Sequence, residues 1–432
     1  MSKDKISYFP RAVRSIPDPL GFYIRPEHRD QKVLLDFFSS HGAPFSGVIF
    51  NPVHLHKQKE LLEQVLDRKI DAILDPKTQE LASIGRYNEK LGNLPWGLQR
   101  QHNYDDYKGM LGQRIVKGLS DFAIEKKFTQ IIAPTHYLQN ADSEWLDIDI
   151  RIFNQLQNQL AKTDDGEKSL IYSLTIPYAA FRDQGQRSKI INALRSTSAD
   201  MLWLKIDGMG SDNTANATCS YLKAVADFHS LEIPIVADHM GGLPGLSLLA
   251  FGAVGGLAHG ITLRERFSAN DWNKPSNNKG RLPQRRVYVS ELDMMLDAKA
   301  ASKMFEALPR VRSMFGCKDK SCCPRGVKDM IEDPARHFLI QRSKQISSLS
   351  NIPEQLRPQE FLNKQLLPIT DRVLKAANYD WDEDTAMARK VQKHRQRLDK
   401  IRISLGEYMD KLSSSSYSPH PIPRAAREAS SR

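Results

Sequence analysis

Ile233-Pro-Ile-Val-Ala237-Asp238-His239-Met-Gly-Gly-Leu243-Pro-Gly-Leu-Ser-Leu-Leu-Ala-Phe251-Gly-Ala253-Val-Gly255-Gly256-Leu-Ala258-His259-Gly260 is the stretch that decides the fold. A short apolar run, 233–237, ends in the polar pair Asp238 and His239. A glycine-flanked helical stretch, 243–251, then leads to a second apolar run, 253–258. Strand, crossover helix and strand make a minimal βαβ unit. The same rhythm extends toward the N-terminus, with strands expected at 22–25, 47–51, 70–74, 130–133, 170–176 and 201–206. Helical patterns lie between them at 57–68, 109–126, 149–160, 186–196 and 215–229. Eight such strands over roughly 250 residues predict a (β/α)8 barrel of the TIM type; a doubly wound open sheet is the structural alternative. Polar residues end several strands where a barrel has its active face: Asn51, Asp75, Thr135 with His136, Asp207, and Asp238 with His239.

The chain has 432 residues, 40% hydrophobic and 26% charged, a composition that excludes disorder of the whole. Its start has no apolar h-region, and its longest charge-free apolar stretch, 241–261, is interrupted by seven glycines and a proline. A cytoplasmic protein without a membrane partner is therefore expected. The formal charge of +11 is localised: residues 389–432 carry eleven Lys and Arg against four acids, and residues 264–286 carry seven against two. Lys279, Arg281, Arg285 and Arg286 in the second segment are candidate phosphate contacts, because cations that neutralise phosphates release condensed counterions.

The expected division is an N-terminal segment 1–17, a barrel 18–300, a zinc-binding subdomain 301–345, a helical extension 346–412 and a disordered tail 413–432. An extra strand is expected at 286–289, with breaks in the helical extension at Pro353 and Pro368. An amphipathic stripe of Val391, Leu398, Ile401, Leu405, Tyr408 and Leu412 is expected to pack on its own domain.

Three of the four cysteines fall within seven residues, Cys317, Cys322 and Cys323, and His337 follows fourteen residues later. Thiolate and imidazole donors suit Zn2+, and a set of four protein ligands closes the coordination sphere, so the expected zinc is structural. His54 and His56 are a weaker metal signal, at the expected start of a helix. Asp238 leads the candidate catalytic carboxylates and Asp207 is next. Asp75 precedes Pro76, where a turn explains it, and Asp293 only follows the extra strand.

A barrel followed by a Cys3His set resembles the tRNA-guanine transglycosylase family and its DNA-acting 7-deazaguanine relatives. Gly255-Gly256-Leu257-Ala258-His259-Gly260 is similar to the family's glycine-rich base-binding segment, and Leu282-Pro-Gln-Arg-Arg286-Val-Tyr288 is similar to its Pro-Arg-Tyr stretch. The resemblance covers roughly residues 250–345. It implies exchange or removal of a guanine or deazaguanine type of base in tRNA or DNA through an aspartate nucleophile, a structural zinc, and Gly255, Gly256 and His259 as substrate contacts; His239 and His136 join them by their strand-end positions. Cys-x4-Cys-Cys replaces the family's Cys-x-Cys-x-x-Cys, and its Asp-Ser-Gly-Gly-Phe segment is absent. Neither catalytic aspartate carries over, so Asp238 and Asp207 rest on position alone. Two other expectations stand beside this one: a metal-dependent barrel hydrolase of a small molecule using His54 and His56, and a non-catalytic nucleic-acid-binding barrel. Assembly as a homodimer or in a larger complex is left open by the sequence.

Overall fold

The computed structural model describes residues 19–27, 29–163, 168–270, 272–274, 285–306, 309–381 and 384–412. Strands β1 (Gly21–Ile24), β2 (Gly47–Phe50), β3 (Asp71–Leu74), β4 (Gln130–Ile132), β5 (Ser169–Pro177), β6 (Met201–Asp207), β7 (Ile235–Asp238) and β8 (Gly256–His259) form a closed barrel in sequence order. Every pair is parallel, and closure sets Gly21 against Gly256 and Ile24 against His259. The chain is thus a (β/α)8 barrel, and the open-sheet alternative is excluded.

Strand period explains the interior. Successive side chains alternate between the barrel axis and the helix layer. Tyr23, Ile49, Ile73, Ile132, Ile171, Met201, Trp203, Val236 and Ala258 form one buried apolar cluster drawn from all eight strands. The ring of Tyr23 leaves no room at Gly47 of the neighbouring strand, where a Cβ would lie 2.9 Å from Tyr23 Cδ1 and 3.0 Å from Ile73 Cδ1. The opposite faces of the strands pack against the surrounding helices in a larger core.

Beyond the barrel, β9 (Arg286–Val289) pairs antiparallel with β10 (Met294–Asp297). The first matches the expected extra strand; its partner had no separate signal. Helix Pro334–Ser350 packs on β9 and runs through residue 345, so the expected boundary there falls inside a continuous helix. Pro353 ends a helical segment as expected. Pro368 does not: the chain passes through a π-helical turn, Phe361–Leu366, into helix Leu367–Ala377. Proline lacks the N–H that an α ladder would need, and a widened turn just ahead of it keeps the helix continuous.

Helix Thr385–Leu412 buries Val391, Leu398, Ile401 and Leu405 against helices Ala215–Phe228 and Leu367–Ala377, as expected for a stripe that packs on its own chain. Among the described residues no helix is long and apolar enough to cross a membrane. The expected N-terminal segment 1–17 and tail 413–432 lie outside the described residues.

Candidate active site and metal centre

The alternation that fills the barrel with apolar side chains continues upward into charge. Two residues beyond Tyr23 is Arg25, two beyond Ile73 is Asp75, two beyond Trp203 is Lys205, and two beyond Val236 is Asp238. All four are buried at the C-terminal mouth. Arg25 Nε and Nη2 donate to both oxygens of Asp238, at 2.9 and 2.7 Å, and Nη1 donates to Asp75 Oδ2 at 2.5 Å. One guanidinium therefore clamps carboxylates from strands on opposite sides of the barrel. Lys77 adds a backbone N–H to Asp75 Oδ1 at 3.1 Å and its ammonium to Oδ2 at 3.2 Å.

Burial pushes the Asp75 carboxyl up, but Lys77 and Arg25 outweigh it and hold it well below the usual range. Burial likewise pushes the Asp238 carboxyl up, and the Arg25 guanidinium, paired with both of its oxygens, outweighs it and holds it below the usual range. The two carboxylates differ in access. The Asp238 side chain is 0% exposed, with a third hydrogen bond from the His239 N–H at 2.9 Å. Asp75 is 13% exposed and lines a pocket with Arg25, Gln79, Thr135, Ser173 and Lys205. The turn expected at Asp75 and Pro76 does form, and the same carboxylate faces the pocket.

Lys205 Nζ donates to Gln79 Oε1 at 2.9 Å, while Gln79 Nε2 is anchored by Thr175 Oγ1 at 2.7 Å and Thr135 Oγ1 at 3.2 Å. Its ammonium also lies 4.6 Å from the ring centre of Phe267 and 5.2 Å from that of Trp272. Burial is the main cause that brings its pKa down to about 8. Phe267 and Trp272 meet edge to face at 5.3 Å, with Tyr137 at 6.1 Å from Trp272, so an aromatic wall stands over the lysine. Ser83 Oγ and the Gly85 N–H both donate to the Trp272 carbonyl and hold this wall to the loop after β3.

The other expected site residues are spread more widely. Asp207 is half-buried at the rim, accepting from Tyr137 Oη at 3.1 Å and from the Ala269 N–H at 2.8 Å, and so ties the aromatic wall together. His239 is at the mouth, in a left-handed conformation with φ 58°, its ring 5.7 Å from Phe267. Such a conformation is uncommon for a residue with a side chain and is often found at functional sites. Gly255 and Gly256 begin β8, beside Gly21, and lie at the far end of the barrel from the mouth. His259 is fully buried between Phe22 and Phe338. His136 is buried with Asp149, Nδ1 to Oδ1 2.6 Å, and stacks on Trp145, away from the pocket. Arg285 is paired with Asp30 at 2.6 Å, and Arg286 is exposed on β9; Lys279 and Arg281 lie outside the described residues.

His54 and His56 lie in a short 3-10 helix, Pro52–Lys57. Among the described residues they belong to no group of three or more His, Cys, Asp or Glu able to hold a metal ion. One group does: Cys317, Cys322, Cys323 and His337 are all buried, with ligand atoms within 4.8 Å of one another. Cys322 and Cys323 Sγ lie 3.2 and 3.3 Å from His337 Nδ1 and 3.6 Å from each other. A tetrahedron with M–S ~2.3 Å and M–N ~2.0 Å has S–N edges of about 3.5 Å and S–S edges of about 3.8 Å, so these three atoms lie within a few tenths of an ångström of that spacing. His337 Nε2 is 2.9 Å from the Tyr288 carbonyl of β9. Only an Nε2 proton can make that bond, which leaves the Nδ1 lone pair facing the sulfurs. The turn between Cys317 and Cys322 is set by Asp319, whose carbonyl and carboxylate accept the N–H groups of Cys322 and Cys323.

This centre is fastened to the barrel. Arg342, five residues beyond His337 on the same helix, donates to Glu265 Oε1 at 2.8 Å, and Glu265 Oε1 also accepts the Gly242 N–H at 3.2 Å. At Gly241 a Cβ would lie 2.1 Å from that oxygen, and Gly242 has φ +60°, so both glycines are required where the carboxylate meets the chain after β7. Asp293, a carboxylate singled out by position, bridges Tyr288 Oη at 3.0 Å and the Leu243 N–H at 3.0 Å and belongs to the same joint.

No family model matches the chain, and no curated protein does. Among solved structures it is similar to the type I 3-dehydroquinate dehydratase of Clostridium difficile, at 12% identity and TM-score 0.36 over 61% of this chain and 95% of that one. The 3-dehydroquinate dehydratase of Enterococcus faecalis is similar at 12% identity and TM-score 0.34 over 56% and 89%. CpGH84B is similar at 10% identity and TM-score 0.37 over 90% and 77%. Likenesses of this size say nothing about activity.

Proposed function

We propose that the protein is a transglycosylase-like barrel enzyme that exchanges a guanine or 7-deazaguanine type of base in nucleic acid, tRNA or DNA, with a structural Zn2+ in the Cys3His centre. The observation that carries this reading is the pair of ionised carboxylates at the mouth, clamped by Arg25, of which Asp75 lines the pocket together with Lys205. A carboxylate held ionised can attack the sugar C1′ and form a glycosyl-enzyme ester as the base departs. In this reading Asp75 is the nucleophile. Asp238, with both oxygens on Arg25 and no exposure, fixes the guanidinium and through it Asp75.

A base must leave the stack to reach such a pocket, and flat aromatic side chains are the usual support for an unstacked base. Phe267, Trp272 and Tyr137 are the aromatic side chains nearest the mouth; the first two are buried, so a base would have to part them to stack there. Bound zinc would cross-link helix Pro334–Ser350 to the turn at 317–323. With four protein ligands it keeps no open position for chemistry. Exposed basic residues, among them Arg286, Lys393, Lys400 and Arg402, supply the charge that phosphates require.

The test is incorporation of labelled guanine or 7-deazaguanine into tRNA and into duplex DNA. Exchange that is lost in Asp75→Asn supports the assignment. Absence of incorporation into both nucleic acids by the unmodified protein contradicts it.

A further inference from the structure

We infer that Lys205 is the proton donor to the departing base and the acceptor from the incoming one, a catalytic role for a lysine at the end of β6 that deepens the proposed base exchange and rests on it. The geometry is the argument. Lys205 lines the same pocket as Asp75, and Gln79 Oε1 is the one hydrogen-bond acceptor for its ammonium among the described residues, although that group has three N–H donors. The rings of Phe267 and Trp272 cover its other side at 4.6 and 5.2 Å, so its remaining N–H donors are directed toward the pocket that Asp75 lines. Gln79, held by Thr135 and Thr175, orients the lysine without neutralising it.

The charge states around it suit the role. Arg25 from β1, Asp75, Lys77 and Glu80 from the segment after β3, and Asp238 and His239 from the end of β7 are the titratable groups facing it. Against burial, Lys77 and Arg25 hold Asp75 ionised, Lys77 holds Glu80 ionised, and Arg25 holds Asp238 ionised. The two carboxylates Asp238 and Asp75 keep Arg25 charged, and Asp75 keeps Lys77 charged. Burial keeps His239 neutral. Lys205, brought down to about 8, is the member of this set that changes charge near neutrality.

The step balances. The C1′–N bond breaks with its electron pair going to the base, the Lys205 ammonium gives that nitrogen a proton, and the Asp75 carboxylate bonds to C1′. The incoming guanine or 7-deazaguanine then returns a proton from its ring N–H to the neutral amine, forms the new C1′–N bond and releases the Asp75 carboxylate.

The experiment measures kcat/KM for base exchange against pH in wild type, Lys205→Met and Lys205→Arg, on a substrate carrying guanine and on one carrying 7-methylguanine, which leaves without needing a proton. Because the donor must carry its proton, wild-type activity on guanine is expected below about pH 8 and lost as pH rises through it. Lys205→Met, with a melting temperature confirming the fold, is expected to lose roughly 10²–10⁴-fold on guanine. It should lack the limb near pH 8, recover in part with added small primary amines, and keep its rate on 7-methylguanine within about tenfold of wild type. Equal losses on both substrates, or an unchanged pH limb in the variants, overturn the role of Lys205 while leaving base exchange standing. No exchange by wild type overturns both.

Discussion

The barrel mouth and the cysteine centre are both buried groups of polar side chains, and they are balanced in opposite ways. At the mouth, Arg25 and Lys77 are covalent parts of the chain and neutralise Asp75 and Asp238 without outside help. At the cysteine centre, three sulfurs and an imidazole nitrogen converge with no cation of their own. Hydrogen bonds from Cys322 and Cys323 draw Cys317 well below the ordinary thiol range. The same bonds push Cys322 up to about 12 and Cys323 higher still. A metal ion bound there would let all three carry charge together. The mouth therefore stays ionised through the chain's own charges, whereas the cysteine centre could be closed by a metal ion.

The sharpest way to break this contrast is Asp75→Asn, which removes the nucleophile and leaves the fold. It should lower base exchange by ~10⁴-fold, measured as single-turnover rate below the variant's melting temperature, which also falls because Arg25 and Lys77 lose a buried carboxylate. Next is the metal. Zinc should be present at one per chain, retained in a His54→Ala, His56→Ala double variant and lost in Cys322→Ala. At free zinc a thousandfold above its Kd the ion contributes ~4 kcal/mol to stability, a loss that denaturant titration of Cys322→Ala or of the chelated protein would read. Arg25→Met should destabilise by ~3 kcal/mol or more, because two buried carboxylates lose their shared partner, and chelator should make no difference to that loss. Trp272→Ala should raise KM by about ten- to a hundredfold through lost stacking, with kcat less affected. Smallest, each of Lys393→Glu and Lys400→Glu should flatten the dependence of log K on log salt by about one unit if its ammonium meets a phosphate.

The two regions also differ in how much of them the sequence carries. Cys317, Cys322 and Cys323 are near neighbours, with His337 one helix later, so thiolate chemistry and spacing made the metal set legible before any coordinates. The barrel was legible too, since each strand is a local apolar run. The mouth was only half visible. Arg25 meets Asp238 across 213 residues and Asp75 across 50, and no local pattern announces those pairs.

A signal did exist: once the strands are placed, counting by twos from Tyr23, Ile73, Trp203 and Val236 lands on Arg25, Asp75, Lys205 and Asp238. Reading only strand ends selected Asp207, which braces the rim, and explained Asp75 as a turn. Gly255 and Gly256 follow from the resemblance to a glycine-rich base-binding segment, yet parallel strands put the start of β8 at the end opposite the mouth. Lys205 was hidden because it sits inside an otherwise apolar strand, where a lysine reads as an outward-facing surface residue.

The central claim is that Asp75 forms a covalent bond to the sugar during base exchange. Acid quench during turnover, followed by peptide mass analysis, tests it most directly. The account predicts a nucleic-acid sugar adduct on the peptide carrying Asp75 and none in Asp75→Asn; an adduct on Asp238, or turnover with no adduct on any residue, would contradict it.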